Sequence, residues 1–260
     1  RGRLQTMRPS KLKQLLLWEL HDTWAFPFAE ILIIGFFSQT LSITYIYYFV
    51  GKMSLKIFFA TKYPVMLFCT LIPAKAFGEC IEKRKVHIPL MAGASRSEFF
   101  VSKLVVTVLP IWVVQLGSLT FEAVLNRMFD MPLSLSEWIS IVLGSLMLSL
   151  FVCSFSILLS LFLRKFSLSL LLGFGILMAL DYWSLQIPFE NMARYLSPIE
   201  SAIVITYLLI VVLAKAMANS DVTFPMYTPV AYGFSIFYLL LLPILLAFIA
   251  ALAFQGIDLD

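Results

Sequence analysis

"FGECIEKRKVHIPLMAGASRSEFFVSK", residues 77–103, is the most charged passage in a 260-residue chain that is otherwise largely apolar. Between its ends stand Glu79, Cys80, Glu82, Lys83, Arg84, Lys85, His87 and Arg96, interrupted by the apolar IPLMAGA of residues 88–94. Long apolar runs flank it on both sides. Such a passage cannot sit in hydrocarbon, so the flanking runs must end here. It marks the chain as a set of membrane spans joined by polar turns.

Composition agrees. Hydrophobic residues make up 61% and charged residues 13% of the chain, whereas soluble domains carry roughly 45–50% and about 25%. So little charge cannot cover a soluble surface of this size, and an all-α integral membrane protein follows. Spans of about 20 residues each use up most of residues 1–260, which form one membrane domain.

Outward from the charged passage, apolar runs predict six spans at 25–50, 57–76, 99–125, 136–163, 166–186 and 231–254. Residues 1–24 precede them. There Leu12, Leu15, Leu16 and Leu20 form one helical stripe, with Lys11, Lys13 and Glu19 off it and Trp18 and Trp24 nearby. This pattern predicts an interfacial amphipathic helix. Arg1 to Lys13 is basic but leads into no short apolar core with a cleavage site, so no cleaved signal peptide is expected. Pro64 and Pro73 predict a kinked second span, with Lys62 snorkelling near its start. In residues 187–230 the one apolar run, 202–214, has 13 residues, too short to span, and predicts a re-entrant or interfacial helix on the outer side.

Orientation follows from the basic residues. With the N-terminus in the cytoplasm, Lys52, Lys56, Lys62, Arg127, Arg194 and Lys215 fall outside, and the other thirteen of the nineteen Lys and Arg fall inside. This predicts a multi-pass protein of the cell membrane with both termini cytoplasmic and the charged passage on the cytoplasmic face. A seventh span at 202–214 would move only the C-terminus.

Chemistry is sparse. His21 and His87 form no metal-binding pattern, and no nucleophile elbow, P-loop or paired-carboxylate motif occurs. Gly173 and Gly175 fall inside a span and read as packing positions, Gln39 and Gln115 as interhelical hydrogen-bonding groups, and Glu30, Lys62 and Asp181 as charges within reach of an interface. Cys69, Cys80 and Cys153 read as small buried hydrophobes. No catalytic residue, bound cofactor, metal or nucleic-acid partner is expected of this chain.

Residues 78–98 remain. An apolar centre with charged flanks suits insertion into a cleft on a soluble protein, and equally a polybasic loop attracted to anionic lipid. Both ends run into spans, so a push on the segment would move the second and third spans together.

The order of interfacial helix, six spans, charged segment after the second and broken helix before the last resembles the permease subunit of the type-2 exporter family of ABC transporters. That family's segment reads approximately E-x-G-T-L-E-x-L-L-x-x-P-V-S-R-x-x-x-x-x-x-K. Here Glu82 takes the first Glu, Val86 the first Leu, Leu90 a later Leu, Ser95 and Arg96 the S-R pair, and Lys103 the Lys seven residues on. Leu196-Ser197-Pro198 resembles the family's L-x-P, and Phe254 with Asp258-Leu259 its closing F-x-x-x-D-L. Arg84-Lys85 replace Gly-Thr, His87 the second Glu, Pro89 a Leu and Gly93 a Pro, and Pro89 predicts a helix break. The resemblance implies a coupling helix that docks on a separate cytoplasmic ABC ATPase through Glu82, Lys83, Arg84, Lys85, Ile88, Leu90, Met91, Ser95 and Arg96. It further implies ATP and Mg in that partner, a second permease copy in a homo- or heterodimer, and export along a path between the copies lined by spans one, two and five. A membrane-embedded lipid-modifying enzyme would need clustered His, Asp or Glu, and a secondary transporter or channel would favour intramembrane charges and internal repeats.

Overall fold

The computed structural model describes residues 9–25, 27–50, 63–91, 93–128, 134–188, 191–218 and 227–256, and every regular element among them is helical. In chain order these are α1 (Pro9–Trp24), α2 (Phe28–Val50), α3 (Tyr63–Glu82), α4 (His87–Met91), α5 (Arg96–Met128), α6 (Leu135–Leu163) and α7 (Phe166–Leu185). A 3-10 turn (Met192–Leu196), α8 (Pro198–Ala218) and α9 (Pro229–Gln255) follow. Six helices are long and apolar enough to cross a membrane: α3, α5, α6, α7, the 198–216 part of α8, and α9. The pair α1–α2, bent by 67°, passes the same test as a seventh. The chain is therefore an all-α, multi-pass membrane protein.

One helix is added to the expected set, and the span expected at 25–50 passes only together with α1. The short run 202–214 lies inside a 21-residue helix, because Glu200 and Ser201, which end the apolar run, are buried and paired. Glu200 accepts from Arg194 Nη2 at 2.6 Å, and Ser201 Oγ donates to the Tyr195 carbonyl at 2.7 Å. The basic residues 1–8, the segment 51–62 with Lys52, Lys56 and Lys62, and Asp258-Leu259 lie outside the described residues.

Two antiparallel ladders organise the bundle. Between α3 and α7, Glu82 meets Phe166, the Gly78 turn lies against the Lys165 backbone, Gly173 faces Thr70, and Tyr63 OH donates to Asp181. Between α5 and α6, Trp112 donates to Ser149, Gln115 to the Ser145 carbonyl and Trp138 to the Leu119 carbonyl. A capping box of Ser134 and Glu137 starts α6. The buried serines of α6 (Ser140, Ser145, Ser149, Ser154, Ser156 and Ser160) let neighbouring helices approach closely. Gly173 does the same for α7, since an added Cβ there would sit 2.9 Å from Thr70 Cγ2, while at Gly175 it would meet open space. Cys69 and Cys153 are buried and adjacent across α3 and α6.

Prolines set the local irregularities. The expected bend of the second span is a wide, π-helical turn at Ala74–Glu79, immediately after Pro73. A second wide turn, Phe237–Leu241, precedes Pro243 in α9. Pro110 continues α5 without a break, and its missing N–H frees the Val106 carbonyl. That carbonyl accepts the indole N–H of Trp24 at 2.8 Å, which pins α1 to α5.

The direction of α9 follows from its contacts. Its end lies beside the start of α5: Arg96 Nη1 donates to the Gln255 carbonyl at 2.6 Å, and Phe254 packs on Phe99 and Phe100. Its beginning pairs with α8 in antiparallel order, Leu196 with Tyr238, Ser201 with Ser235 and Tyr207 with Tyr227. Thus α8 runs away from the 83–95 end. It starts where Ser197 Oγ donates to Asp181 at 2.7 Å, beside the last turns of α7. Consecutive helices α7 and α8 therefore point the same way.

Candidate docking surface at residues 83–95

The segment is built from turn chemistry. Beyond α3 the Lys85 N–H closes on the Cys80 carbonyl at 2.9 Å, and Arg84 takes a left-handed conformation with φ 54°. Helix α4 follows, with Pro89 in its first turn, where helical N–H groups have no intrahelical acceptor. The break expected at Pro89 falls just before it, in the turn 83–86 between α3 and α4. Gly93, with φ 85°, closes the helix: its N–H donates to Leu90 O and that of Ala94 to Pro89 O, both at 3.0 Å. Ser95 and Glu98 then cap α5 reciprocally, Ser95 N–H to Glu98 Oε2 at 2.8 Å and Glu98 N–H to Ser95 Oγ at 3.2 Å. Gly93 is thus a helix stop two residues beyond the five-residue α4.

The nine docking candidates divide into two sets. Lys83, Arg84, Ile88 and Met91 face outward, Ile88 at 55% and Met91 at 82% exposure. The others bind the segment to the bundle. Glu82 Oε2 accepts the Phe166 N–H at 3.0 Å and caps α7, where its charge also suits the helix N-terminus. Arg96 grips the last carbonyl of α9, Leu90 packs on the cluster of Phe77, Phe99, Phe100 and Phe254, and Ser95 is the cap already described. Val86, just before α4, and Pro89 within it are buried.

Lys85 points inward, donating to Asp22 of α1 at 2.8 Å and lying 3.6 Å from Glu79. Burial works against its charge, but Asp22 and then Glu79 outweigh burial and hold its pKa above the ordinary lysine value. Lys83 pairs with Glu79 at 2.7 Å, and Lys75 donates to the Thr23 carbonyl while covering the Phe28 ring. Deeper still, Lys103 and Glu19 form a fully buried pair at 2.5 Å. The outward-facing position expected for Glu19 is thereby corrected: α1 turns Leu15, Trp18, Glu19 and Thr23 towards the bundle and leaves Leu17 and Leu20 exposed. Sequence reasoning missed Asp22 as a partner because α1 and the segment are some sixty residues apart, whereas Glu79, one helical turn before Lys83, was within local reach.

Arg164 and Lys165, exposed in the α6–α7 turn, stand beside Glu82 and Gly78. The same end of the bundle thus exposes the apolar Ile88 and Met91 and the basic Lys83, Arg84, Arg164 and Lys165. Among the described residues no three His, Cys, Asp or Glu side chains gather as a metal site. No protein-family model and no curated protein matches the chain.

Proposed function

We propose that the chain is the non-catalytic, membrane-spanning subunit of an ATP-driven exporter of the ABC type, with residues 83–95 docking on a cytoplasmic ATPase. The observation that carries this reading is the geometry of α4. Its tip exposes Ile88 and Met91 at the same end as the exposed Lys83, Arg84, Arg164 and Lys165, which suits an acidic cleft with an apolar floor. A polybasic loop held to lipid would not need a capped helix locked at both ends.

The locks supply the coupling. A load on α4 passes to α3 and α5 through the chain, to α7 through Glu82, to α9 through Arg96 and to α1 through Lys85. ATP and Mg act in the partner, whose closure moves this end of two permease copies as rigid bodies and opens the path between them. The basic end faces the cytoplasm by the positive-inside rule. Helix α8, which begins beside Asp181 and runs towards the far end, supports a re-entrant role at the outer mouth.

Co-expression with ABC ATPase subunits of the same source, followed by co-purification and ATP turnover in liposomes, tests the proposal. Ile88→Glu and Met91→Glu change exposed side chains, so folding is kept, and each should weaken ATPase binding about thirtyfold, ~2 kcal/mol. Unchanged binding in both variants, or failure of every ABC ATPase to co-purify with the wild type, sinks it.

A further inference from the structure

Helix α5 is built with its polarity inward. Its lipid face carries Val101, Val105, Leu109, Val113 and Val124, all exposed, while its buried face carries Thr107, Gln115, Ser118, Glu122 and Asn126. From Gln115 onwards the buried positions repeat every three or four residues, so they form one stripe about 16 Å long, half the thickness of a bilayer core. The stripe ends near Met128, at the end of α5 remote from residues 83–95.

The helices packed against this stripe are polar at the same level. Gln115 lies against Ser145 of α6 through its bond to the Ser145 carbonyl. Ser118 meets Thr40 of α2 side chain to side chain, and Gln39 is the neighbour of Thr40. Yet Gln39 Oε1, Gln115 Oε1, Ser145 Oγ and both amide atoms of Asn126 have no hydrogen-bond partner among the described residues. All four side chains are more than nine-tenths buried. Lipid offers no hydrogen bonds, and each orphaned polar atom in such surroundings costs about 1–3 kcal/mol. Two such side chains in the stripe, with one more on each of the neighbouring helices α2 and α6, cannot all be dry. Towards the 83–95 end the unpartnered polar atoms of α5 stop short of Ile111, which is fully buried among apolar neighbours, and Thr107 beyond it is satisfied by the Lys103 carbonyl.

We infer that a water-filled crevice enters each subunit between α2, α5 and α6 from the end remote from residues 83–95 and stops at Ile111. Water is the ligand that fits: a bound water makes two to four hydrogen bonds and bridges acceptors that lack donors, as Gln39, Gln115 and Ser145 do. The crevice lies inside one subunit and needs only the membrane-spanning fold, whatever the docking partner.

Cysteine accessibility in sealed vesicles of the full chain tests it, using a membrane-impermeant methanethiosulfonate reagent added to one side or the other. The native cysteines, all buried, set the wild-type baseline. Asn126→Cys, Ser118→Cys and Ser145→Cys should react from the side opposite to Arg84→Cys, with the two deeper positions within about tenfold of Asn126→Cys. Ile111→Cys should stay at baseline. Reaction of Asn126→Cys alone, or reaction of Ser118→Cys and Ser145→Cys from the Arg84 side, overturns the proposal. Hydroxyl-radical footprinting of the unmutated protein decides independently of any variant's folding: Leu119 and Ile141, beside the stripe, should be modified and Leu148, in the apolar core, should not. Equal silence at all three means the stripe is dry.

Discussion

At the scale of single residues, Pro110 shows how a helix breaker becomes a docking point. Proline removes an i→i−4 bond and leaves a carbonyl bare inside the bundle. Here Trp24 of α1 fills the vacancy at Val106. Trp24→Phe keeps an aromatic ring but removes the indole donor, so it should destabilise the protein by about 1–3 kcal/mol. Pro110→Ala restores an N–H for the same carbonyl. It should therefore raise the melting temperature in detergent more in the Trp24→Phe background than in the wild type. Equal increments in the two backgrounds would show that the Val106 carbonyl is not what joins them. The donor and acceptor are 82 residues apart, and a proline in an apolar run announces only that a carbonyl is free, not which side chain finds it.

At the scale of elements, α1 is held by charge as much as by apolar burial. The Glu19–Lys103 pair is withdrawn from solvent on both sides. Removing one partner leaves the other charge buried alone, so Lys103→Met should cost about 3–5 kcal/mol. Glu19→Leu combined with Lys103→Met should recover most of that loss, read as thermal unfolding together with protease resistance of α1. A double variant no better than the single one would refute the pairing. Helix existence was legible here from the leucine spacing and the two tryptophans, and five of the spans were legible from run length and composition, while α8 was not. The face of α1 was not, because Glu19 looks like a solvent-facing residue until Lys103 is placed opposite it. The charged segment shows the same division. Its exposure and turns could be read from its residue types, but the separation of Ile88 and Met91 from Glu82, Lys85 and Arg96 depends on α7, α1 and α9, which are distant in sequence.

At the scale of the whole molecule, helix direction decides sidedness. If α8 crossed in simple alternation after α7, the end of α9 would emerge on the face opposite to residues 83–95. The contacts contradict this: Gln255 accepts from Arg96, and Phe254 joins the aromatic cluster beneath α4. Alternation is broken at residues 186–197, where the chain turns back so that Ser197 reaches Asp181 and α8 sets out in the direction α7 was already travelling. From Phe166 to Asp181 α7 rises about 22 Å, so α8 starts well inside the bundle rather than at either surface. Run length alone suggested a helix too short to span, whereas it is the direction and starting depth of α8 that set its place. Two single-cysteine variants, Arg84→Cys and Gly256→Cys, measure the consequence. Both should react with an impermeant thiol reagent from the same side of sealed vesicles, because the α9 end and the α3–α4 turn share one face of the bundle. Reaction of Gly256→Cys from the opposite side would require α8 to cross completely and α9 to reverse, and the Arg96–Gln255 bond could not then exist.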